Sequence, residues 1–502
     1  MKPRVTMRRA LNDPVLLGEV MAGPSWEAWR ILLTAAMGEQ LTDDEREIFR
    51  RLTGRDREAL QRAEEIWCVV GRRGGKSRAM AACAAHIGGL CEHPELAPGE
   101  RGVVLCIAPD QKQATVVLSY TVAAFGRSHI LKQLIANRTN DTLELTNGIT
   151  VEVRASNFRR LRGPTYVAVL ADEAAFWLSD ESSNPDTEIL NAVRPGLATT
   201  GGPLLVASSP YARRGELWNA YRRHYGDAGD PLVLVAKGPS RTFNPTLPQQ
   251  VVDRAIERDA AHASAEYLAE FRTDVETYIS REAVDAVTSR DVREREPVEG
   301  VRYHAFVDPS GGSGDSFTLA VAHREEDRVV IDCVRETRPP FSPESVVAEY
   351  AGLLRSYHVS TVRGDRYAGE WPREQFRKRG VEYLPAAKPK SDLYVALLPV
   401  INSGQVDLIE SGRLTAQLCS LERRTARGGK DSIDHPPGGR DDLANCVAGV
   451  VHLIASKERG MRAALFGPQV FQDDRRVSGR PFTEQPGFAP PWRDDAEQEA
   501  AV

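Results

Sequence analysis

Residues 69–77, which read VVGRRGGKS, decide the fold of the first half of the chain. They begin inside a short apolar run at residues 66–70 and lead into an alanine-rich stretch that extends to about residue 90. A strand, a glycine-rich turn and a helix start in this order form a phosphate-binding loop, because backbone N–H groups at the helix N-terminus point at phosphate oxygens. The sequence therefore predicts an α/β domain that binds a nucleotide.

The residue types within this loop also fit nucleotide binding. Gly74 and Gly75 let the backbone approach the phosphates closely. Lys76 is expected to contact the β- and γ-phosphates, and the Ser77 hydroxyl is expected to bind Mg²⁺. The strict pattern has a glycine six residues before the lysine, where this chain has Val70. The alternative interpretation is a glycine-rich turn with a solvated lysine, and the flanking strand and helix favour the nucleotide site.

A second string, VAVLADEAAF at residues 167–176, is an apolar run that ends in two acids, Asp172 and Glu173. Strands of α/β sheets present ligand-binding side chains at their carboxyl ends. Asp172 is expected to hold Mg²⁺ through water, and Glu173 is expected to polarise the attacking water. A buried strand before an acidic helix start would also explain the string. Its position after a phosphate loop favours ATP hydrolysis.

Other segments of the first half fit the same sheet. Apolar runs at residues 103–108 and 204–207 predict strands, and residues 143–153 predict a hairpin that turns at an Asn-Gly pair. Ser208 and Ser209 follow one of these runs, where they either sense the γ-phosphate or form a simple turn. The basic segment NFRRLRG, residues 157–163, is expected to form a loop, either solvated or in contact with DNA or nucleotide.

The second half predicts a ribonuclease-H-like fold. A strand at residues 303–307 leads to Asp308, and strands at residues 317–323 and 329–334 follow it. A helix at residues 343–357 and a strand at residues 360–363 come next.

Carboxylates mark the ends of these elements. Asp365 follows the last of these strands, and Asp441 and Asp442 open an apolar-periodic helix. Carboxylates at two strand ends and one helix start can converge on a pair of divalent ions, which serves to activate water and to stabilise a leaving oxygen. Oxygen ligands suit Mg²⁺ or Mn²⁺ rather than zinc. Either Asp441 or Asp442 is the third acid, and Asp315 is a supporting ligand. The alternative is an aspartate-rich turn and an ordinary helix cap.

Taken together, these motifs resemble the large subunit of a tailed-bacteriophage terminase, from about residue 25 to residue 455. The resemblance implies an N-terminal ATPase domain of the P-loop, RecA/ASCE-like class and a C-terminal ribonuclease-H-like nuclease domain. It also implies ATP-driven translocation of viral double-stranded DNA into a procapsid, with Mg²⁺ as the ATPase metal, and Mg²⁺- or Mn²⁺-dependent cleavage of concatemeric DNA. The implied partners are double-stranded DNA bound without sequence preference, a terminase small subunit and the portal protein, with a ring of subunits on the portal and a host-cytoplasmic location.

The resemblance also implies roles for single residues. Arg72 would act as an arginine finger in cis on the γ-phosphate, with Arg73 as the less favoured choice, and Ser208 and Ser209 would form the coupling motif. Asp308 and Asp365 match the first and second nuclease acids. The implied nucleotide-binding set is Gly71, Arg72, Arg73, Gly74, Gly75, Lys76, Ser77 and Asp172.

Composition sets the remaining boundaries. The 502 residues suggest two to three domains, with an ATPase domain at 1–240, a linker or lid at 241–297, a nuclease domain at 298–456 and a disordered tail at 457–502. The seven cysteines lack CxxC spacing, and neither a membrane span nor a signal peptide is expected.

The net charge of −5 requires local basic patches for DNA binding. The isolated chain is expected to be mainly monomeric. The candidate patch residues are Arg159, Arg160, Arg162, Lys388, Lys390, Arg423, Arg424 and Arg427.

Two other classes of enzyme share part of this pattern. A helicase or other DNA-stimulated ATPase would share the first half but lack the second set of acids. A standalone repair or recombination nuclease would share the second half but would not need a complete ATP site. Metal-dependent plasmid cleavage, measured beside DNA-stimulated ATP hydrolysis, separates these classes.

Overall fold

The structure is a computed structural model that describes residues 1–156, 161–179, 182, 184–365, 370–425 and 431–465, with side chains as far as residue 455. Met1–Ala455 forms one compact unit. Within the described part of the chain, no helix has the length and apolar character needed to cross a membrane.

The described strands and helices alternate along most of the chain. The strands are β1 (Lys2–Pro3), β2 (Glu65–Val70), β3 (Cys91–Glu92), β4 (Gly102–Ala108), β5 (Ile135–Arg138), β6 (Thr142–Leu145), β7 (Ile149–Ala155), β8 (Tyr166–Asp172), β9 (Leu204–Ser208), β10 (Val233–Gly238), β11 (Val275–Thr277), β12 (Tyr303–Asp308), β13 (Phe317–Glu325), β14 (Arg328–Thr337), β15 (Thr361–Gly364), β16 (Glu382–Pro385), β17 (Val406–Asp407), β18 (Glu422–Thr425) and β19 (Asp431–Asp434). The helices are α1 (Met7–Asn12), α2 (Glu27–Ala36), α3 (Asp43–Thr53), α4 (Lys76–Leu90), α5 (Gln111–Arg127), α6 (His129–Lys132), α7 (Pro185–Ala198), α8 (Gly215–His224), α9 (Ser240–Phe243), α10 (Gln249–Arg258), α11 (Ala260–Leu268), α12 (Arg281–Asp285), α13 (Pro343–Ser356), α14 (Glu370–Lys378), α15 (Lys390–Asn402), α16 (Gly412–Ser420) and α17 (Asp442–Leu465).

The first large sheet has eight strands in the order β10-β2-β9-β8-β4-β7-β6-β5. The neighbours from β10 to β7 are parallel, and β6 and β5 add an antiparallel edge. Strand β9 lies between the phosphate-loop strand β2 and the acidic strand β8. Strands β2, β8 and β9 therefore end side by side at one edge of the sheet.

Helices cover both faces of this sheet, so its central strands carry apolar residues on both sides. One face packs against α4 and the N-terminal helices, with Cys68, Leu170 and Leu205 in that core. The other face packs against α7 and α8, with Val69, Val169 and Val206. The ends of β2, β8 and β9 are thereby held at fixed positions.

The second large sheet has the order β16-β15-β12-β13-β14-β17. Strands β12, β13 and β14 form an antiparallel meander, and β15 and β16 continue the sheet in parallel with β12. This is the ribonuclease-H-like arrangement that the sequence predicts. Helix α17 packs on one face through Cys446, Val447 and Val450, and α13 packs on the other through Val347 and Tyr350.

A small third sheet contains β11, which lies in the chain between the strands of the two large sheets, and two strands of the second half, β18 and β19. Strand β11 pairs antiparallel with β18, which pairs with β19. Tyr278, Ile279 and Val284 continue into the core around α17. Part of the stretch that the sequence assigns to a linker therefore packs with the second sheet.

The strands predicted around the acidic residues are all present, with ends that differ by one to three residues. The Asn-Gly turn is also confirmed between β6 and β7, where Gly148 has a φ of 83°. Helix α17 continues past the predicted boundary at residue 457 to Leu465. The rest of the predicted tail lies outside the described residues.

Candidate functional site

The predicted phosphate loop joins β2 to α4 and has an unusual backbone. Arg73 and Gly75 both have positive φ, 64° and 86°. Only the glycine adopts such a conformation without strain, and strained non-glycine residues concentrate at ligand sites. The Trp29 indole donates to the Gly74 carbonyl at 2.7 Å, so a buried side chain holds the turn. Trp29 is fully buried and packs on Phe243.

Lys76, the first residue of α4, lies buried at the centre of this edge of the sheet. Its Nζ donates to the Val70 carbonyl at 3.1 Å and to the Ser209 Oγ at 2.9 Å. It also forms an ion pair with the Glu173 Oε1 at 3.0 Å. The strand ends of β2, β8 and β9 thus meet at this one ammonium group.

Asp172 is the last residue of β8 and faces Ser77. The Ser77 Oγ donates to the Asp172 Oδ2 at 2.9 Å. The other carboxylate oxygen, Oδ1, is buried and has no hydrogen-bond partner among the described residues. Burial, together with the neighbouring Glu173 carboxylate, raises the pKa of Asp172 to about 7. An unsatisfied carboxylate oxygen beside a serine hydroxyl fits a Mg²⁺ site, since a buried charge requires a counter-charge.

Glu173 is held by Ser208, which ends β9, and by Ser209, which follows it. Its Oε2 accepts from the Ser209 backbone N–H at 2.9 Å and from the Ser208 Oγ at 3.2 Å. Its φ of 50° lies in the left-handed region, which is uncommon for a residue with a side chain. The serines, which a simple turn would also explain, therefore touch both Lys76 and Glu173. This contact favours the interpretation that they sense the nucleotide.

Residues after β10 pack onto the phosphate loop. The Ser240 Oγ donates to the Arg72 carbonyl at 2.6 Å, and the Asn244 Nδ2 donates to the Arg73 carbonyl at 2.9 Å. A Cβ added at Gly71 would clash with the Ser240 Oγ. Gly71 is thus required by the packing of α9 and α11 residues, Ser240 and Tyr267, on the loop.

The Arg72 side chain is directed at this same segment. Its Nη1 lies 2.9 Å from the Glu266 Oε2, and its backbone N–H donates to the Glu266 carbonyl at 2.5 Å. The guanidinium therefore forms an ion pair with α11. Its role as an arginine finger, and the choice between Arg72 and Arg73, stay predictions.

The predicted acids of the second half converge on a cavity of about 840 Å³. Asp308 ends β12, and Asp365 directly follows β15. Val307 and Gly364 are paired in the parallel register, so these two acids leave adjacent strand ends. The carboxylates that line the cavity are Asp308, Asp315, Asp365, Asp441 and Asp442.

Helix α17 orients two of these acids. The Asn445 Nδ2 donates to the Asp308 Oδ2 at 2.7 Å, and the Ser316 N–H donates to the Asp442 Oδ2 at 3.2 Å. Burial raises the pKa of Asp308 to about 7 and the pKa of Asp442 to about 6. Sequence reasoning missed Asn445, although its spacing of three residues after Asp442 places both on one face of the helix.

Asp441 has different surroundings from Asp442. It is buried, and it forms an ion pair with Lys390 at 3.0 Å. The Tyr394 hydroxyl donates to the Asp441 Oδ2 at 2.8 Å. The geometry therefore favours Asp442 as the third metal-binding acid, a choice that the sequence left open.

The donor set of this cavity fits divalent ions. Its carboxylates are hard oxygen ligands, and burial together with neighbouring acids raises the pKa of Asp308 and Asp442, so a nearby cation would stabilise their charged forms. The residues that would hold the ions are Asp308, Asp365 and Asp442, with Asp315 also in the cavity lining.

The predicted basic patches are only partly available for DNA. Lys390 pairs with Asp434 and Asp441, and Arg424 pairs with Glu422. Arg162 and Lys388 are exposed. The remaining patch residues include three that lie outside the described part of the chain: Arg159, Arg160 and Arg427.

A buried carboxylate joins the two halves of the compact unit. Glu422 in β18 is fully buried and accepts from the Tyr211 hydroxyl at 2.7 Å and from the Arg214 guanidinium. Tyr211 and Arg214 follow the two serines at the end of β9, and β18 pairs with β19, which ends at Asp434. Hydrogen bonds and neighbouring positions in the chain thus connect Lys76 and Ser209 to Glu422, and Asp434 at the end of β19 contacts Lys390 of the acidic cavity.

No protein-family model matches this sequence, and no curated protein is similar to it. Among solved structures, the large terminase of bacteriophage HK97 is similar at 15% identity and a TM-score of 0.36, over 78% of this chain and 91% of that chain. The ATPase domain of the large terminase of Thermus phage P74-26, in a mutant form, is similar at 17% identity and a TM-score of 0.35, over 47% of this chain and 96% of that chain. The magnesium-bound large terminase nuclease of thermophilic phage G20c is similar at 18% identity and a TM-score of 0.31, over 35% of this chain and 97% of that chain.

Proposed function

We propose that this chain is the large subunit of a viral terminase, which hydrolyses ATP to move double-stranded DNA into a procapsid and cuts concatemeric DNA with a metal-dependent nuclease. The observation that carries the proposal is the presence of both chemistries in one compact unit. A phosphate loop with its acidic pair lies on the first sheet, and a cavity lined by five aspartates lies on the second. A helicase would need only the first site, and a repair nuclease would need only the second.

ATP would bind with its phosphates on residues 71–77 at the N-terminus of α4. The ammonium of Lys76 would leave Glu173 to neutralise the β- and γ-phosphates, since a phosphate carries more charge than one carboxylate. Glu173 would then be free to accept a proton from the attacking water. Ser77 and Asp172 would hold Mg²⁺, which neutralises phosphate charge when it is bound.

The nuclease would place a DNA phosphate in the acidic cavity. Asp308, Asp365 and Asp442 would hold Mg²⁺ or Mn²⁺, which supply a nucleophilic water and stabilise the leaving oxygen when they are bound. Asn445 would keep Asp308 in its orientation, and the Ser316 N–H would do the same for Asp442. Hydrogen bonds of this type fix ligand geometry in metal sites.

The partners follow from the proposed activity. Double-stranded DNA would be held without sequence preference through phosphate contacts, so a terminase small subunit would supply site choice. A ring of subunits on the portal, in the host cytoplasm, would keep the DNA engaged through successive ATP cycles. We also propose that the chain divides at residues 240, 297 and 456 into an ATPase domain, a linker or lid, a nuclease domain and a tail.

Two activities of the purified chain test the proposal. With supercoiled plasmid and Mn²⁺, we expect nicked and linear products, and EDTA should prevent their formation. With ATP, Mg²⁺ and plasmid, we expect phosphate release that exceeds the rate without DNA. A chain that hydrolyses ATP but never cleaves DNA would support a helicase-like enzyme instead, and cleavage without any hydrolysis would support a standalone nuclease.

A further inference from the structure

The sequence assigned Lys390 to a DNA-binding patch, but the structure places it among the cavity carboxylates. Of the patch residues that the structure describes, only Lys390 lies there. It is the first residue of α15, and its Nζ lies 2.7 Å from the Asp434 Oδ1. The same Nζ lies 3.0 Å from the Asp441 Oδ2 and 3.3 Å from the Asp441 Oδ1. Tyr394, one helical turn later on the same face of α15, donates to Asp441 as well. Both oxygens of Asp441 are therefore engaged by α15.

We propose that Lys390 is a positioning residue of the nuclease centre, which holds Asp434 and Asp441 with a fixed positive charge so that Asp442, and not Asp441, binds metal. This inference rests on the nuclease activity proposed above. Lys390 acts through the acids rather than on the phosphate, because its Nζ already contacts two carboxylates.

The charge of Lys390 matters because Asp434 and Asp441 lie in a second group of ligand atoms. One atom each from Asp434, His435 and Asp441 lies within 4.8 Å of the others, among the described residues. The Lys390 ammonium contacts both carboxylates of this group. With that cation already in place, the two acids attract a divalent ion much less strongly. Lys390 thus confines the metal ions to Asp308, Asp365 and Asp442.

The test is a Mn²⁺ titration of the full chain, measured by isothermal titration calorimetry, with plasmid cleavage measured on the same samples. We expect Lys390→Met to bind at least one more Mn²⁺ per chain than the wild type, because Asp434 and Asp441 lose their counter-charge. Its cleavage rate should fall by about 10- to 100-fold, the usual effect of removing a group that orients metal ligands. Added Mn²⁺ should not restore the rate.

Two matched variants separate this role from a general loss of charge or fold. Lys378→Met removes the same charge at an exposed position of α14, and it should leave both Mn²⁺ stoichiometry and cleavage unchanged. Lys390→Arg keeps the charge and should restore the wild-type stoichiometry and most of the cleavage. If Lys390→Met does not fold, Asp441→Asn and Asp442→Asn decide: only Asp442→Asn should weaken Mn²⁺ binding.

The outcomes distinguish this inference from the proposed function. If Lys390→Met binds the same number of Mn²⁺ ions and cleaves within about twofold of the wild type, the positioning role is wrong. The role is equally wrong if Asp441→Asn weakens Mn²⁺ binding as much as Asp442→Asn does. If the wild type binds Mn²⁺ but does not cleave DNA, the nuclease function fails, and the titration still decides what Lys390 does.

Discussion

Glu173 is the residue on which the proposed hydrolysis depends most directly. Its carboxylate touches Lys76, Ser208 and the Ser209 backbone at distances of 2.9–3.2 Å. These contacts orient the side chain at the point where β8 and β9 end. A base must be held in position before its basicity is useful, so the hydrogen bonds from the serines would be part of the proposed role of Glu173.

Replacing this carboxylate gives the first prediction. Glu173→Gln keeps the shape of the side chain but removes the base, so ATP should still bind while hydrolysis falls at least ~10²-fold, the scale for losing a general base. Nucleotide binding is measured by fluorescence of a labelled ATP analogue and turnover by phosphate release. Glu188→Gln, at an exposed position of α7, is the matched control. Near-normal turnover of Glu173→Gln would remove Glu173 from the mechanism.

Asn445 gives the second prediction at the level of a residue. Its side-chain amide is the donor that orients Asp308, and Asn445 is almost fully buried. Asn445→Ala should lower plasmid cleavage by about 10- to 100-fold and raise the Mn²⁺ concentration needed for half-maximal rate. ATP hydrolysis by the same preparation shows whether the rest of the chain is folded. Wild-type cleavage at low Mn²⁺ would mean that Asp308 needs no such support.

At the scale of elements, strand ends and helix starts bring the candidate residues together. Lys76 begins α4, Asp172 ends β8, and Asp308 ends β12. These positions were predictable, because an apolar run fixes where a strand ends and the residue after it lies at the sheet edge. Local sequence is therefore sufficient for the phosphate loop and for most of the acids.

Contacts between elements that are distant in the chain were not predictable. Lys390 was expected at a DNA-binding surface, but it lies 51 residues from Asp441 in sequence and beside it in space. Tyr211 and Glu422 are 211 residues apart. A single sequence has no pattern that pairs such residues, because only the packing of α15 and β18 brings them together. The choice between Asp441 and Asp442 depended on the same contacts.

The contact between the β9–α8 loop and β18 leads to the third prediction. Arg214 shares the buried Glu422 carboxylate with Tyr211 and Arg424. Arg214→Met removes one of these partners, so the free energy of unfolding should fall by about 1–3 kcal/mol, the cost of leaving a buried group partly unsatisfied. Urea denaturation measures the change. Arg222→Met, at an exposed position of α8, should change stability by less than about 0.5 kcal/mol.

If the urea concentration at the midpoint of unfolding is the same for Arg214→Met as for the wild type, this account of the contact is wrong. Glu422 would then be satisfied by Tyr211 and Arg424 alone. In that case the hydrogen bond between Arg214 and Glu422 would contribute nothing measurable to the free energy of unfolding.

At the scale of the whole molecule, the proposed function requires an acidic chain to hold an acidic polymer. The net charge is −5, and several basic side chains expected to bind DNA are paired with carboxylates instead. Phosphate contacts alone give weak binding that depends on salt rather than on base sequence. The isolated chain should therefore bind DNA weakly, and firm engagement would require a ring of subunits.

The fourth prediction concerns this binding. In fluorescence anisotropy with duplexes of unrelated sequence, the purified chain should bind each with similar affinity, and the affinity should fall steeply with added salt. The duplexes differ in sequence and have the same length. Tight binding to one sequence at physiological salt would contradict a phosphate-directed hold and would require a base-reading element in this chain.

The central claim is that one chain carries two separate active sites, and the most direct test measures both activities in variants of each site. Asp308→Ala should lose Mn²⁺-dependent plasmid cleavage and keep ATP hydrolysis, and Asp365→Ala should behave in the same way. Glu173→Gln should lose ATP hydrolysis and keep Mn²⁺-dependent cleavage of plasmid without ATP. This double dissociation is the predicted result. Loss of both activities in each variant, or wild-type nicking by Asp308→Ala and Asp365→Ala, would contradict the claim.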